Sequence, residues 1–488
     1  MMKNSLSKSN YLDGLNCKKS LWLSLNKIEL CKDDDFKDYR FEIGNKVGLS
    51  AREYFGKGFQ PKSPYYEVEN AFKETFDYIN DGGKLIYEGV GFNKAEGIFA
   101  LADILIKDND SWELIEVKSS TGVKDYHVED LSFQNHVFKS LGLNVTKLSV
   151  LHLNKNYQRG DQIDVNKLFL KSDVTKKVLQ KGNIISLQIA ELIETLSVKN
   201  EPIVDIGSHC KECQFKEYCW KGLPKYNIYN VFSAKKAEEV HRNNNSIDIK
   251  ELDIKDYPKG NKLVDVNSYL SGDVFVNKKE IKKFLDTLIF PYYFLDFETF
   301  GPAIPIFKNS KPYENIPFQF SLHIQENENS EIKHVEYISK DKKDFRLEFA
   351  ETLLKSIKKT GSVIVYNQSF EKNVISSLSD IFPEIKHDLL KINERMIDLL
   401  RPFRSRHLYS PKQNGSASIK AVLPRFTNES YDDLEIQGGM EVSINFEKYY
   451  LGELKKENEN IFFNNALKYC KLDTLAMYKL LKVLQTYV

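Results

Sequence analysis

Two apolar runs separated by a short polar segment form the clearest local pattern in the chain. Residues 98–106 are almost wholly apolar or β-branched, and residues 112–117 repeat this character after the polar stretch 107–111. Apolar runs around an Asn/Asp/Ser segment are typical of two antiparallel strands joined by a tight turn. The pattern therefore predicts a β-hairpin that turns at Asn109-Asp110.

This turn position sets the register of the hairpin. Asp108 then faces Ser111, and Asp103 lies opposite Glu116, where cross-strand Cβ atoms are about 5 Å apart. Lys118 shares a face with Glu116 because side chains alternate along a strand. Two carboxylates and a lysine thus converge on an otherwise apolar strand pair, an arrangement that electrostatics disfavours unless a cation lies between the acids.

Apolar periodicity elsewhere predicts alternating helices and strands, and hence a mixed α/β protein. The predicted helices cover residues 6–25, 40–54, 68–80, 126–141, 178–198, 346–358 and 464–487. The further predicted strands cover residues 84–89, 145–153, 292–300, 318–324 and 361–367. Residues 210–219 are predicted to form a loop.

The length of 488 residues predicts two domains, because one hydrophobic core rarely grows so large. The apolar pattern weakens between residues 226 and 286, where Lys, Asn and Asp dominate. We therefore expect a first domain over residues 1–225, a linker or bridging segment over 226–286, and a second domain over 287–488.

The net charge and the N-terminal segment add little information about function. The chain has 70 Lys+Arg and 69 Asp+Glu residues, so any groove for nucleic acid must be a local patch. Arg401, Arg404, Arg406 and His407 form the best basic patch, with a solvated loop as the alternative. Residues 1–5 lack the apolar core of a signal peptide, and no run of about 18 apolar residues occurs. We expect a cytoplasmic protein with no membrane partner.

The hairpin acids suit metal-assisted phosphodiester hydrolysis. Carboxylates are the ligands that Mg²⁺ and Mn²⁺ prefer, so Asp103 and Glu116 would hold a divalent ion, with the Val117 carbonyl completing its shell. Lys118 would orient the attacking water or stabilise the phosphate, and Gln134 would fix the site from the following helix. A solvated salt-bridge pair is the alternative, because D…ExK is a weak pattern.

These residues resemble the RecB-like branch of the PD-(D/E)xK nuclease superfamily. The likeness rests on Ala102-Asp103, Glu116-Val117-Lys118 and Gln134-x₃-Phe138, and it covers roughly residues 1–225. It implies a restriction-endonuclease-like mixed sheet with flanking helices. Family members carry a metal-binding histidine on the first core helix; this chain has none near residues 44–48, and the expected substitutes are Glu42 and Glu88.

Four of the six cysteines are spaced for metal binding rather than for disulfides. Cys17, Cys210, Cys213 and Cys219 provide four soft ligands at the two ends of the first domain, suited to a [4Fe-4S] cluster or to zinc. This arrangement is similar to the iron-sulphur RecB-like nucleases, which favours the cluster. Free thiols are a third alternative. Cys31 and Cys470 are interpreted as ordinary thiols.

A second set of acids begins at residue 296. Asp296 and Glu298 share one face of a strand, and Tyr469 and Asp473 lie one turn apart on the C-terminal helix. With Glu371, which follows another strand, they could surround two metal ions about 4 Å apart, while the tyrosine positions water. A polar sheet face is the alternative for Asp296 and Glu298.

The order of these motifs is similar to the DEDD exonucleases in their DEDDy form, over roughly residues 287–488. This resemblance implies an RNase H-like mixed sheet. The segment Asn367–Glu371 matches the second motif with Glu in place of the usual Asp. Asp398 is similar to a downstream family position, with helix capping as the alternative. Residues 416–422 are a candidate phosphate-binding helix start or an ordinary one.

The two halves together resemble a bacterial family of two-nuclease proteins. The resemblance implies an Mg²⁺- or Mn²⁺-dependent nuclease that hydrolyses DNA at two separate sites, in repair or in defence against foreign DNA. Two alternatives remain open. One is a non-catalytic nucleic-acid-binding protein with degenerate sites, and the other is an RNA exonuclease that uses only the C-terminal site.

Overall fold

A computed structural model describes residues 5–32, 34 and 36–488, so the first four residues of the N-terminal segment lie outside the described part. The chain forms two compact units. Unit 1 comprises Met1–Leu223 and Ala303–Tyr313, and unit 2 comprises Pro224–Pro302 and Glu314–Val488. Both contain mixed sheets with flanking helices, so the predicted mixed α/β class is confirmed.

Unit 1 is built around one mixed sheet. Its strands are β1 (Leu6–Ser7), β2 (Leu85–Asn93), β3 (Ile98–Asp108), β4 (Ser111–Lys118), β5 (Val145–Leu153) and β6 (Phe169–Asp173). Its helices are α1 (Lys8–Asn16), α2 (Lys18–Asn26), α3 (Lys37–Phe55), α4 (Val68–Asn80), α5 (Asp125–Ser140), α6 (Val165–Leu168), α7 (Thr175–Leu179), α8 (Gly182–Ser197) and α9 (Lys216–Cys219), with 3₁₀ turns at Ile28–Leu30 and Ser208–Cys210.

The strand order in this sheet is β1-β3-β4-β5-β6, and β2 also pairs with β3. Alternation along β4 separates two cores: Leu114 packs with Leu131 and Phe138 of α5, whereas Ile115 packs with Val47 of α3. The odd and even positions of β4 therefore face different helices. Glu116 and Lys118 follow Leu114 in this alternation, which directs them towards α5.

The predicted hairpin is confirmed. Strands β3 and β4 are antiparallel, with Asp108 paired to Ser111 and Ile106 paired to Glu113. The paired stretch ends at Ile104 and Ile115. One step further along the same register lie Asp103 and Glu116, as predicted.

The cysteine segments differ in detail from the prediction. The single helix expected over residues 6–25 is two helices, α1 and α2, with Cys17 between them in an extended conformation. The segment 210–219, predicted as a loop, contains the end of a 3₁₀ turn at Cys210 and the short helix α9, which ends at Cys219. Short turns of this kind carry too few apolar positions to produce a periodic signal.

Unit 2 contains a second mixed sheet and a small strand pair. Its strands are β7 (Phe275–Val276), β8 (Tyr292–Phe300), β9 (Ile316–Gln325), β10 (Lys333–Ile338), β11 (Ser362–Val365), β12 (Met396–Asp398) and β13 (Leu408–Tyr409). Its helices are α10 (Ile228–Val231), α11 (Ala234–Asn244), α12 (Asn261–Ser271), α13 (Lys278–Leu285), α14 (Arg346–Ser356), α15 (Gln368–Ile381), α16 (Lys386–Glu394), α17 (Leu400–Arg404), α18 (Ile419–Phe426), α19 (Gly439–Leu451) and α20 (Lys456–Thr486), with 3₁₀ turns at Ile249–Glu251, Ile254–Asp256 and Pro411–Gln413.

The larger sheet of unit 2 has the order β10-β9-β8-β11-β12. Strands β8, β11 and β12 are parallel, so their carboxyl ends meet at one edge. Leu295 and Phe297 of β8 enter a core with Phe349 of α14 and Val374 of α15. Alternation therefore turns Asp296 and its neighbour at 298 away from that core.

Two segments lie differently from the predicted domain bounds. Residues 226–286 form helices α10–α13 and strand β7 within unit 2, and their core includes Tyr226, Ile249 and Val266. Residues 303–313 belong to unit 1, because Ala303 and Ile304 pack with the core around β4. Apolar positions are sparse in residues 226–286, and residues 303–313 are too short and irregular to give a periodic signal, so neither pattern predicted these contacts.

The basic patch is only partly available for binding. Arg401 and Arg404 are exposed, but the guanidinium of Arg406 is buried and binds both carboxylate oxygens of Asp265, with Nη2 3.0 Å from Oδ2. It also donates to the Gly415 carbonyl at 2.7 Å. The prediction that Arg406 contacts nucleic acid is therefore wrong, because its hydrogen-bonding groups are used inside the fold.

Among the described residues, no helix combines the length and apolar character needed to cross a bilayer.

Replacing Asp265 by Ala should destabilise unit 2 by about 3–5 kcal/mol, because it leaves the Arg406 charge buried without its partner. Urea unfolding followed by fluorescence measures the change in the free energy of unfolding. Arg404→Ala is the matched control, since this exposed residue lies in the same segment and should change stability little. Equal losses in the two variants would contradict this account of the ion pair.

Candidate functional site

The first acid set lies between β3, β4 and α5 of unit 1. Asp103 accepts a hydrogen bond from the Val117 N–H at 2.7 Å, which places its carboxylate beside the Glu116 backbone. Glu116 is buried and accepts hydrogen bonds from Lys118 Nζ at 2.6 Å and Gln134 Nε2 at 2.6 Å. The structure thus brings together Asp103, Glu116, Lys118 and Gln134, as the sequence predicted.

Two further residues belong to this cluster. Lys8, the first residue of α1, places Nζ 2.9 Å from Glu116 Oε1 and 3.5 Å from Asp130 Oδ1. Asp130, on α5 one turn before Gln134, accepts a hydrogen bond from Lys118 Nζ at 2.7 Å. Two ammonium groups therefore lie against two buried carboxylates. Asp130 could have been found from its i, i+4 spacing to Gln134, but no local signal marked Lys8.

Burial and charge set the protonation of this cluster. Burial, followed by the neighbouring Glu116 carboxylate, raises the pKa of Asp103. Burial alone would also raise the pKa of Glu116, but Lys8 and Lys118 outweigh it and lower that pKa. Glu116 is therefore ionised and matched by ammonium groups, whereas ionisation of Asp103 is disfavoured.

The expected histidine substitutes differ in position. Glu88 has a left-handed backbone (φ 52°) and pairs with Arg52 at 3.3 Å. Its charge also acts on Asp103, which places it beside the acid set. Glu42 is partly exposed on α3. Of the two residues, Glu88 is the one that the structure brings to the site.

The four predicted cysteine ligands come together in unit 1. Burial first, and then the neighbouring Cys213 and Cys210 thiols, raise the pKa of Cys17. Burial and the same group of thiols also raise the pKa of Cys219. Cys213 and Cys219 lie in a small apolar cluster with Trp22 of α2 and other residues. The segment around Cys17 and the segment 210–219 therefore bring four thiols together.

The second acid set lies at the carboxyl edge of the parallel strands in unit 2. Asp296 and Glu298 project from β8, and Asp473 projects from α20. Burial, followed by the charges of Asp473, Glu298 and Glu371, raises the pKa of Asp296. Burial also raises the pKa of Glu371 to about 8. The charges of the three other predicted acids therefore all act on Asp296.

The position of Glu371 depends on the turn before α15. Asn367, at the N-terminal end of this helix, has a left-handed backbone (φ 88°), and its N–H donates to Asp398 Oδ1 at 2.9 Å. The same Asp398 oxygen accepts a hydrogen bond from the Leu400 N–H at 3.0 Å. Asp398 therefore holds the backbone that places Glu371, and it is buried rather than on the surface.

A cavity of about 360 Å³ opens over this acid set. Asp296, Glu298, Asp473 and Tyr469 line it, together with apolar and small residues that include Phe370, Ile419 and Gly439. Among the described residues, one group of three metal-ligating side chains has ligand atoms within 4.8 Å of one another, namely Asp296, Glu298 and Cys470. The acids thus face an accessible space rather than a closed core.

Three neighbours of this cavity were not predicted as site residues. Tyr431 donates a hydrogen bond to Asp473 Oδ1 at 2.5 Å. Lys420 Nζ lies 5.0 Å from the centre of the Tyr469 ring, and its charge lowers the pKa of Glu298 against the larger effect of burial. Cys470, interpreted from sequence as an ordinary thiol, lies 3.5 Å from Asp296 Oδ2.

Lys420 lies in the segment 416–422 that was considered for phosphate binding. Helix α18 begins there with the Ser418 side chain accepting a hydrogen bond from the Ala421 N–H. The helix start is thus capped by its own side chain, as the ordinary alternative predicted. The contribution of this segment to the site is the Lys420 charge.

Comparison with known proteins gives similarity without a described activity. Residues 293–418 match a domain of unknown function, DUF2779, and this range includes Asp296, Glu298 and Glu371 but ends before α19. The uncharacterized protein UU173 of Ureaplasma parvum serovar 3 is 24% identical over 428 residues, covering 81% of this chain and 58% of that protein.

The uncharacterized protein MG366 of Mycoplasma genitalium is 28% identical over 219 residues, covering 40% of this chain and 32% of that protein. Its homolog in Mycoplasma pneumoniae is 28% identical over 164 residues, covering 30% of this chain and 25% of that protein. The chain spans less than two thirds of the length of each of these relatives.

Replacing Asp296 by Asn should stabilise the protein in buffer free of divalent cations, by about 0.5–2 kcal/mol. The pKa of Asp296 is raised, so the folded state favours its protonated carboxyl. The protonated carboxyl therefore contributes stability below the unfolded pKa of about 4, and this contribution is lost as the pH rises further. The gain from Asn should therefore be larger at pH 8 than at pH 5. Thermal unfolding at both pH values measures it.

Asp286→Asn is the matched control for this measurement, because Asp286 is exposed on unit 2 and pairs with Lys282 at 3.1 Å. We expect little change in its stability at either pH. A loss of stability in Asp296→Asn at pH 8 would contradict the repulsion argument.

Proposed function

We propose that unit 2 is a metal-dependent nuclease that hydrolyses phosphodiester bonds at the acids around its cavity. The observation that carries this proposal is the group of four carboxylates, Asp296, Glu298, Glu371 and Asp473, whose pKa values are all raised. Acids that repel one another in a buried site reduce stability, and such an arrangement is common where function requires it.

The donor set fits a hard divalent cation. Each of the four acids offers carboxylate oxygens, which are the preferred ligands of Mg²⁺ and Mn²⁺. Glu371 Oε2 is buried without a hydrogen-bond partner, which is costly in a protein that binds no cation there. When bound, the cation supplies Lewis-acid stabilisation of the phosphate and lowers the pKa of water.

The remaining side chains position and protect the site. The Tyr431 hydroxyl fixes one oxygen of Asp473 and leaves the other available. Burial, followed by the charges of Asp473 and Glu298, raises the pKa of Tyr469, so its phenol stays protonated and can donate a hydrogen bond to water or phosphate. Lys420 adds a positive charge beside Tyr469, which lines the cavity, and this charge would attract a phosphate.

The size of the cavity favours action on strand ends. A volume of about 360 Å³ is near the lower limit of small-ligand pockets and suits one nucleotide rather than a duplex. We therefore propose exonuclease activity on single strands. DNA is the substrate that the resemblance implies.

RNA is the second candidate substrate. RNA is the expected substrate if only the C-terminal site is active. The hydrogen bonds of the acids in unit 1 favour this alternative. In unit 1, the oxygens of Glu116 and Asp130 are already engaged by Lys8, Lys118 and Gln134.

We also propose that Cys17, Cys210, Cys213 and Cys219 hold a [4Fe-4S] cluster, with zinc as the alternative. A single zinc ion would bind the thiolates at about 2.3 Å. The resemblance favours the cluster, in which each thiolate binds a different iron atom.

Asp296→Ala should reduce Mn²⁺-dependent degradation of end-labelled single strands by on the order of 10²–10³-fold, because it removes one ligand of the charge-stabilising site. The assay compares single-stranded DNA and RNA of the same sequence. Asp286→Ala is the matched control on the same unit and should retain activity. Activity that is unchanged in Asp296→Ala, or absent from the intact chain on both substrates, would reject the proposal.

Anaerobically purified protein should be brown and contain about four iron atoms per chain if the thiols bind the cluster. Cys213→Ser should lose most of this iron because a thiolate ligand is removed, whereas Cys31→Ser should retain it. Metal analysis and visible absorption measure both effects. Stoichiometric zinc without iron in the intact chain would establish the alternative.

A further inference from the structure

We infer that the Lys8 ammonium replaces a divalent cation in unit 1, so that the acid set around Glu116 is a closed ion-pair network that binds neither Mg²⁺ nor Mn²⁺. The Asp103, Glu116 and Lys118 pattern predicted a metal site, and the residues present do not fit one. This inference does not depend on the activity proposed for unit 2.

The Lys8 ammonium lies between two of the acids. Its Nζ lies 2.9 Å from Glu116 Oε1 and 3.5 Å from Asp130 Oδ1. An ammonium bridging two carboxylates from a strand and a helix supplies the positive charge that the acids would otherwise require from a bound cation. Lys118 bridges the same two acids, at 2.6 Å and 2.7 Å.

The carboxylate oxygens that could bind a metal already accept hydrogen bonds within the protein. Glu116 Oε1 accepts from both lysines, and Oε2 accepts from Gln134 Nε2 at 2.6 Å. Asp130 Oδ1 accepts from the same Gln134 amide at 3.2 Å, and Oδ2 accepts from Lys118. One oxygen of Asp103 is occupied by the Val117 N–H. A hard cation needs several free oxygen ligands, and this set does not offer them.

The grouping of metal-ligating atoms differs between the two units. Within the residues that the structure describes, unit 1 has no three His, Cys, Asp or Glu ligand atoms within 4.8 Å of one another, whereas unit 2 has such a group at Asp296. The acids of the two units therefore have different surroundings. In unit 1 they contact ammonium groups, and in unit 2 three ligand atoms lie close together.

The backbone around Lys8 is held by a strand pairing and a helix cap. The preceding strand β1 pairs in parallel with β3, with Leu6 beside Ile98, and the Leu6 side chain is fully buried. Ser7 then caps helix α1 by accepting a hydrogen bond from the Asn10 N–H at 3.2 Å. Lys8 is thus held at the end of a paired strand and the start of a capped helix, so its ammonium is directed to the acids by the fold.

The test measures Mn²⁺ binding to the full-length chain by electron paramagnetic resonance, independently of nuclease activity. Asp296→Asn combined with Asp473→Asn first removes the acids of unit 2. In this background we expect no Mn²⁺ bound in unit 1. Adding Lys8→Met together with Lys118→Met should create one Mn²⁺ site per chain, because both ammonium groups then leave their carboxylate partners, and Mn²⁺ should then raise the melting temperature of that variant.

Lys18→Met is the matched control, since Lys18 begins the next helix and pairs with Glu191 away from the acids. It should create no site, and Glu116→Gln should remove the site that the Lys8→Met and Lys118→Met pair creates. The inference is overturned if the background chain with both lysines intact binds Mn²⁺ and loses it on Glu116→Gln. It is also overturned if the folded chain that carries both lysine substitutions binds none.

Should the chain with both lysine substitutions fail to fold, the measurement on the background chain with both lysines intact still decides the inference. A failure of the proposed nuclease function would appear elsewhere, as a lack of Mn²⁺ binding to unit 2 in the otherwise unmodified chain. The two outcomes are therefore distinguishable.

Discussion

Carboxylates that are buried close together require positive charge, and both units of this protein are organised around that requirement. Burial raises the free energy of the ionised form, and a neighbouring acid raises it further. In unit 1, the ammonium groups of Lys8 and Lys118 satisfy Glu116 directly. In unit 2, Asp296, Glu298 and Asp473 share a cavity, and burial and mutual repulsion keep their pKa values high. Unit 1 thus matches its acids with ammonium groups, whereas the acids of unit 2 favour their protonated forms.

The two sheets explain why the acids are held so firmly. In unit 2, Leu295 and Phe297 pack against helices, and the acids alternate with them on the other strand face. In unit 1, Glu116 shares its strand face with Leu114, which packs against α5. Neither strand can rotate to expose its acids without also exposing core residues, so the hydrophobic effect provides the stability that keeps the charges in place.

Local sequence was sufficient for much of this arrangement. The hairpin of β3 and β4, its register, and the placement of Asp296 and Glu298 on one strand face follow from alternation and turn chemistry alone. The same holds for Tyr469 and Asp473, which helical spacing puts on one face of α20. In contrast, the segment 226–286 has a weak apolar pattern and the segment 303–313 is short and irregular, and only their packing shows the unit to which each belongs.

The sequence by itself determined which predicted acids share a strand or helix face, because strand and helix periodicity fix the direction of neighbouring side chains. Only the tertiary structure decided which charges meet them. Lys8 reaches Glu116 across 108 residues, and Arg406 reaches Asp265 across 141 residues rather than remaining in a basic patch. Such pairings depend on how distant elements pack, and no periodic pattern records that distance. This is why similar acid motifs form a closed ion-pair network in unit 1 and an open cavity in unit 2.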